Sequence, residues 1–204
     1  MLDGWARARI DPLLDHLAVS LAQRGITANA ITLAAFGAGV AAFVAISLEA
    51  YLLGLLLLLA SRLGDGLDGA VARHTQKTDF GGYLDIVLDF AFYGLIPLGF
   101  VLADPAPNSI AGAVLILSFY VNGASFLAYA VMAEKRGLST DARGEKSLFF
   151  TTGLAEATET ICFFVAFCLF PEWFAVLALL FAALCFYTAL SRIIIAGLTF
   201  GNRS

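Results

Sequence analysis

From Leu53 to Ala60 the chain is aliphatic, broken only by Gly54, and it offers no polar face that water could wet. Crossing a bilayer takes about 20 mostly apolar residues in a row. Six segments reach that length, at roughly 29–48, 51–73, 81–103, 109–132, 148–170 and 173–197. Of the 204 residues, 60% are hydrophobic and 14% charged, against about 25% charged in an ordinary soluble domain. A soluble core of this size could not hide that much apolar surface. The sequence therefore predicts an all-α polytopic membrane protein with six transmembrane helices, in a single domain over residues 1–204. There is no internal repeat and no low-complexity tract. No basic tail or stripe points to nucleic acid, and the expected surroundings are membrane lipids.

The first residues do not read as a signal peptide, because Arg7, Arg9, Asp11 and Asp15 interrupt any apolar run there. Leu2, Trp5, Ile10, Leu13, Leu14, Leu17 and Leu21 recur at roughly helical spacing. Residues 2–23 are expected to form an amphipathic helix lying in the membrane interface. Turn chemistry separates the spans: Asp104-Pro105-Ala106-Pro107-Asn108 in one case and Pro171-Glu172 in another. Pro97, lacking an N–H, is expected to kink the third span. Orientation follows from Lys and Arg. Arg7, Arg9 and Arg24 precede span 1, and Arg73 and Lys77 lie between spans 2 and 3. Lys135, Arg136, Arg143 and Lys146 lie between spans 4 and 5, and Arg203 follows span 6. Both termini are expected in the cytoplasm. Cys162, Cys168 and Cys185 fall inside apolar stretches, fit no zinc or redox pattern and read as buried small hydrophobes.

Against this background four aspartates stand out: Asp65 and Asp68 late in span 2, Asp85 and Asp89 early in span 3. A carboxylate inside a membrane costs roughly 2.5–3.5 kcal/mol on insertion scales unless something compensates it. Asp65, Asp68, Gly69 and Ala72 stand at i, i+3, i+4 and i+7, so they share one helical face. Gly81, Asp85 and Asp89 stand at i, i+4 and i+8 and share another. The intervening loop is short, so the two helices are expected to pack as an antiparallel hairpin with both acid faces in one cytoplasmic-side cavity. Gly69, Ala72, Gly81 and Gly82 leave room there for a ligand. Four close carboxylates cannot all stay ionised without cations. Hard oxygen ligands suit Mg²⁺ or Mn²⁺, and two such ions would hold a diphosphate during phosphoryl transfer. Two alternatives stand beside this. The acids could pair with Arg62, Arg73 and Lys77 and only hold the hairpin, or they could form an ion or proton pathway.

The spacing D-x2-D-G-x2-A-R followed by G-x3-D-x3-D resembles the signature of the CDP-alcohol phosphotransferase family. It is carried by Asp65, Asp68, Gly69, Ala72, Arg73, Gly81, Asp85 and Asp89. The six-span layout and the interfacial helix resemble the family as well. One departure is the stretch His74 to Phe80, seven residues where the family usually has eight. The resemblance implies that Asp65, Asp68 and Asp85 bind a first metal ion and Asp65, Asp85 and Asp89 a second. It implies that Asp89 is the catalytic base and that Gly69, Ala72, Arg73 and Gly81 belong to the CDP-binding segment. Thr78 matches a donor-binding position of phosphatidylinositol-phosphate synthases. Gly25-Ile26-Thr27-Ala28-Asn29-Ala30-Ile31-Thr32 resembles the family's T-P-N-x-x-T start of span 1, with Asn29 and Thr32 matching and Ala28 in place of the proline. Asn29 and Thr32 are then expected among the donor-binding residues, with Asn29 facing the nucleotide or alternatively capping its helix.

The implied reaction moves a phosphatidyl group from a CDP-alcohol, CDP-diacylglycerol by preference, to an alcohol acceptor with release of CMP, in phospholipid biosynthesis. Direct displacement is expected, because no Ser, Cys or His is placed as a nucleophile; His74 reads as a solvated loop residue, and His16 lies on the interfacial helix. The expected location is a bacterial inner membrane with the site cytoplasmic. The family often forms homodimers through membrane helices, and the Gly/Ala faces permit one. For the acceptor, Lys135, Arg136, Arg143 and Lys146 could hold the phosphate of glycerol 3-phosphate or inositol phosphate, or could be ordinary positive-inside charge. Glu156 and Glu159 could bond acceptor hydroxyls or pair with Arg192. The Phe-rich stretches, Phe149-Phe150 and Phe163-Phe164, read as lipid-facing or packing residues. Two rival functions remain at this point, an intramembrane prenyltransferase and a divalent-cation transporter using the four acids.

Overall fold

The computed structural model describes residues 2–137 and 157–201, with side chains in the first helix described at Pro12 and from Leu14 onward. The elements in order are α1 (Leu2–Gln23), α2 (Ala28–Ser47), α3 (Tyr51–His74), α4 (Asp79–Ala103), α5 (Pro105–Lys135), α6 (Ala157–Leu169), a 3₁₀ turn (Pro171–Trp173) and α7 (Phe174–Phe200). No strand occurs among the described residues. The bilayer leaves a spanning chain little choice, since a helix satisfies its backbone N–H and C=O groups within itself.

Helices α2, α4, α5 and the segment Pro171–Phe200 containing α7 are long and apolar enough to cross a membrane. They make the chain an integral membrane protein. Their outward faces carry exposed Leu33, Val44, Leu102, Ile110, Leu117, Leu179 and Leu190, a surface suited to lipid rather than water. Helix α3 has the length, at 24 residues, but its second half carries Arg62, Asp65, Asp68 and Arg73. Over the described residues α6 is a shorter apolar helix of 13 residues, and residues 148–156 of the expected fifth span lie outside the described part.

Local chemistry sets the helix ends. Thr27 caps α2, its side chain accepting from Ala30 N at 3.3 Å. Thr78 caps α4 in the same way from Gly81 N at 3.0 Å. The turn between α2 and α3 passes through Glu49 at φ 62°, a left-handed conformation uncommon outside glycine. One expected turn is a helix start instead. Pro105 opens α5 and Pro107 follows within its first turn, where a missing N–H costs nothing because those donors have no helical acceptor anyway. Pro97 lies inside α4, which runs on past it.

The main core is aromatic. Phe92, Phe100, Phe164, Phe167, Phe174 and Phe181 are fully buried. Phe100 stacks on Phe174 at 4.8 Å between centroids and Phe163 on Phe181 at 4.3 Å. The Phe163-Phe164 pair is thus packing material, and Phe149-Phe150 lies outside the described residues. Cys168 and Cys185 are buried as expected, whereas Cys162 is exposed. On the other side Leu14 and Ala18 of α1 pack against Ala70 and Val71 of α3. Leu17 points outward, and Leu2, Trp5, Ile10 and Leu13 lie outside the described side chains.

The expected α3–α4 hairpin is corrected. These helices make little close backbone contact; α2 packs against both of them, and α5 packs on α4 and on α7. Small residues let α2 in. A side chain at Gly64 of α3 would strike Ala35 Cβ at 2.7 Å, and one at Gly39 of α2 would meet Phe92 of α4 at 2.6 Å. With α2 filling the contact on one side, the acid-bearing ends of α3 and α4 face each other across a gap.

Candidate active site

Helical spacing puts the acids where the sequence predicts, with one exception. One carboxylate oxygen each from Asp65, Asp68 and Asp85 lie within 4.8 Å of one another. Asp68 is buried and accepts a hydrogen bond from Thr32 Oγ1 on α2 at 2.5 Å. That bond orients the carboxylate and ties α2 to α3. Three carboxylates from two helices gathered this closely repel unless a cation sits among them. The donor set is all hard oxygen, with no His or Cys, which fits a hard divalent cation.

Asp89 stands apart from this group. Its Oδ1 accepts from Arg62 Nη1 at 2.6 Å, and the same nitrogen lies 3.7 Å from Asp65 Oδ2. The guanidinium sits over the Phe92 ring, 3.7 Å from its centroid. Of the three basic residues considered as partners for the acids, Arg62 reaches them. Arg73 instead pairs with Asp15 of α1 at 3.2 Å, and His74 Nε2 lies 3.5 Å from the same oxygen. The reading in which bases simply neutralise the cluster therefore has a single cation for four acids among the described pairs.

Beside the triad opens a cavity of about 360 Å³. Asn29, Thr32, Asp68, Gly69, Ala72, Arg73, Thr78, Gly81 and Asp85 all line it. Asn29 is not the cap of α2, since Thr27 holds that place, and its side chain is available to the cavity. A Cβ at Gly69 or Gly82 would meet nothing within 4 Å, while one at Gly81 would press on Asn29 Oδ1 at 2.9 Å. Gln76 and Lys77 of the α3–α4 loop also line the space; the sequence pattern gave no reason to single out Gln76. Neither Asp15 nor its hold on Arg73 was legible, because α1 and α3 are joined only in three dimensions.

The expected acceptor residues do not gather among the described residues. Lys135 is exposed at the end of α5. Arg136 donates to the carbonyls of Thr199 and Phe200 at 3.2 and 2.8 Å, closing the C-terminal end of α7. Arg143, Lys146 and Glu156 lie outside the described residues. Arg192 does not pair with Glu159. It donates to Asn122 Oδ1 at 3.0 Å and Ser125 Oγ at 2.7 Å, while Glu159 Oε2 is buried without a partner.

A family model described as CDP-alcohol phosphatidyltransferase matches residues 25–190. The chain belongs to that family. It is accordingly a membrane-bound enzyme that transfers a substituted phosphate group from a CDP-alcohol to an alcohol, in phospholipid biosynthesis. The inner membrane protein YnjF of Escherichia coli (strain K12) is 46% identical over 95% of this chain and 94% of its own. An archaetidylinositol phosphate synthase of Methanothermobacter thermautotrophicus is 29% identical, over 92% of this chain and 88% of its own. The fold is that of the phosphatidylinositol phosphate synthase of Mycobacterium tuberculosis, solved with CDP-DAG bound: TM-score 0.71 at 20% identity, covering 91% of this chain and 94% of that one. The family is metal-dependent, in keeping with the aspartate triad. These findings do not favour the transporter or the prenyltransferase.

Proposed function

We propose that the chain transfers a phosphatidyl group from CDP-diacylglycerol to the hydroxyl of a phosphorylated polyol, releasing CMP. The observation that carries this reading is the cavity of about 360 Å³ shared by Asp68, Asp85 and the Gly69-to-Arg73 segment. A nucleotide there would sit against the triad. The N-terminus of α4, with Thr78, Gly81 and Gly82 on the cavity wall, turns the positive end of a helix dipole toward a phosphate there. The M. tuberculosis enzyme was solved with CDP-DAG, and two archaeal relatives are named for an inositol phosphate product, which supports donor and acceptor class.

In this reading Asp65, Asp68 and Asp85 hold a first divalent ion, Mg²⁺ or Mn²⁺, and Asp65, Asp85 and Asp89 a second. Bound there, such ions supply charge neutralisation of the diphosphate and a better leaving group. Thr32 keeps Asp68 aimed into the site. Asn29, Gly69, Ala72, Arg73, Thr78 and Gly81 receive the CDP moiety, and Asp15 holds Arg73 in place. Asp89 takes the proton of the acceptor hydroxyl. That oxygen bonds to the phosphorus carrying the lipid alcohol, and the bond from this phosphorus to the CMP oxygen breaks. No side-chain nucleophile is needed.

The membrane arrangement belongs to the same proposal. The chain is one domain in which α3 and the complete fifth span join α2, α4, α5 and α7 as six spans, with α1 in the interface. Termini and site are cytoplasmic in a bacterial inner membrane, and a second copy packs through membrane helices. Lys135, Arg143 and Lys146 remain proposed contacts for the acceptor phosphate, whereas Arg136 is engaged at the end of α7. Purified protein incubated with Mn²⁺, CDP-diacylglycerol and a panel of alcohols tests the reaction. CMP release with inositol phosphate or glycerol 3-phosphate is expected, and CMP release with none of the panel would overturn it.

A further inference from the structure

Arg62 lies midway along α3, three residues before the first acid of the family signature. Its side chain is only 10% exposed, and its Nε is buried without a hydrogen-bond partner. A buried guanidinium is expensive unless its surroundings compensate it. Here Asp89 at 2.6 Å, Asp65 at 3.7 Å and the Phe92 face do so. One nitrogen, Nη1, faces both carboxylates, while Nη2 donates to Ser61 Oγ at 3.3 Å and the guanidinium lies over the ring. The space bounded by Arg62, Asp65, Asp85 and Asp89 is a cavity of about 10 Å³, room for about one water.

We propose that Arg62 is a built-in counter-cation to Asp89, so that the donor-free protein holds one divalent ion, at Asp65, Asp68 and Asp85. This rests on the two-ion reading of the proposed function and deepens it. The guanidinium stands farther from the triad, 3.7 Å from Asp65 Oδ2, than from Asp89 Oδ1 at 2.6 Å. The fourth acid is not free to take an ion, because the guanidinium already occupies the place beside it. A divalent ion needs about six oxygens at about 2.0–2.1 Å, several of them waters, and neither the small cavity nor a neighbouring positive charge allows that. Metal stoichiometry is thus set by a residue outside the acid motif, and a second ion is not resident but arrives with the donor.

The test is a Mn²⁺ titration of the purified full chain in nanodiscs without nucleotide, counting bound ions by electron paramagnetic resonance. One ion per chain with no Mn–Mn coupling is expected for the wild type. Arg62→Gln is expected to bind a second ion at least about tenfold more tightly, with coupling between the two, because a positive charge has left the site. Arg62→Lys keeps the charge and stays at one. Should Arg62→Gln fail to fold, Asp89→Asn in the wild-type background decides: an unchanged count and affinity supports the inference, and a tenfold loss makes Asp89 a resident ligand and overturns it. Two tightly bound ions in the wild type, or a folded Arg62→Gln that stays at one, also overturn it. Absence of any bound ion removes the metal reading and the inference together. One bound ion without CMP release would sink the proposed reaction and leave the inference standing.

Discussion

At the scale of single residues the site separates groups that touch reactants from groups that aim them. Asp89→Asn keeps the size of the side chain and removes the proposed base. CMP release is expected to fall about 10²–10⁴-fold, the range for losing a general base, while the protein stays monodisperse on gel filtration. Full turnover in that variant would exclude Asp89 as the base. Thr32→Val acts one step back. It removes the 2.5 Å bond to Asp68 and is expected to weaken Mn²⁺ binding about 10–100-fold, as loss of an orienting partner does. Residue identities carried much of this in the sequence: acids at helical spacing inside apolar segments are costly, and the cost itself marks them as functional. Thr32 was visible by its match to the start of span 1, yet its bond to Asp68 was not, because the two are 36 positions apart.

Among the elements, α2 does what the loop between α3 and α4 was expected to do. It brings the acid faces together by packing against both helices. Gly64→Leu would drive a side chain into Ala35 at the α2–α3 contact, and an overpacking cost of about 1–3 kcal/mol is expected, read as a lower unfolding temperature in detergent. Gly69→Leu makes the contrast. A Cβ there meets open space, so the unfolding temperature should hold while KM for the CDP donor rises as the cavity fills. Equal thermal losses in both variants would mean that Gly69 is a packing position. Helix limits were readable to within a few residues, because hydrophobic length and Thr, Gly and Pro chemistry are local. The Asp104–Asn108 stretch misled because proline both breaks a helix and starts one, and only the direction of the following chain says which.

On the scale of the whole molecule, membrane and metal together set what the protein does. Chelation is expected to abolish CMP release and added Mg²⁺ or Mn²⁺ to restore it. The proposed topology predicts opposite labelling for two positions. A cysteine replacing Glu49 should react with an impermeant thiol reagent from outside sealed cells. One replacing Gln76 should react only in inverted vesicles, and labelling of both from one side would refute the arrangement.

The sequence alone determined the class of molecule, the helical segments and the acids that had to be explained, because hydrophobic length, helical period and the cost of a buried charge are properties of neighbouring residues. Tertiary structure decided which helix stands between α3 and α4, that Arg62 goes to Asp89 while Arg73 goes to Asp15, and that Arg136 caps α7. Those outcomes depend on which small residues allow close approach and which opposite charges come within reach, and such pairings between distant positions leave no periodic trace along the chain.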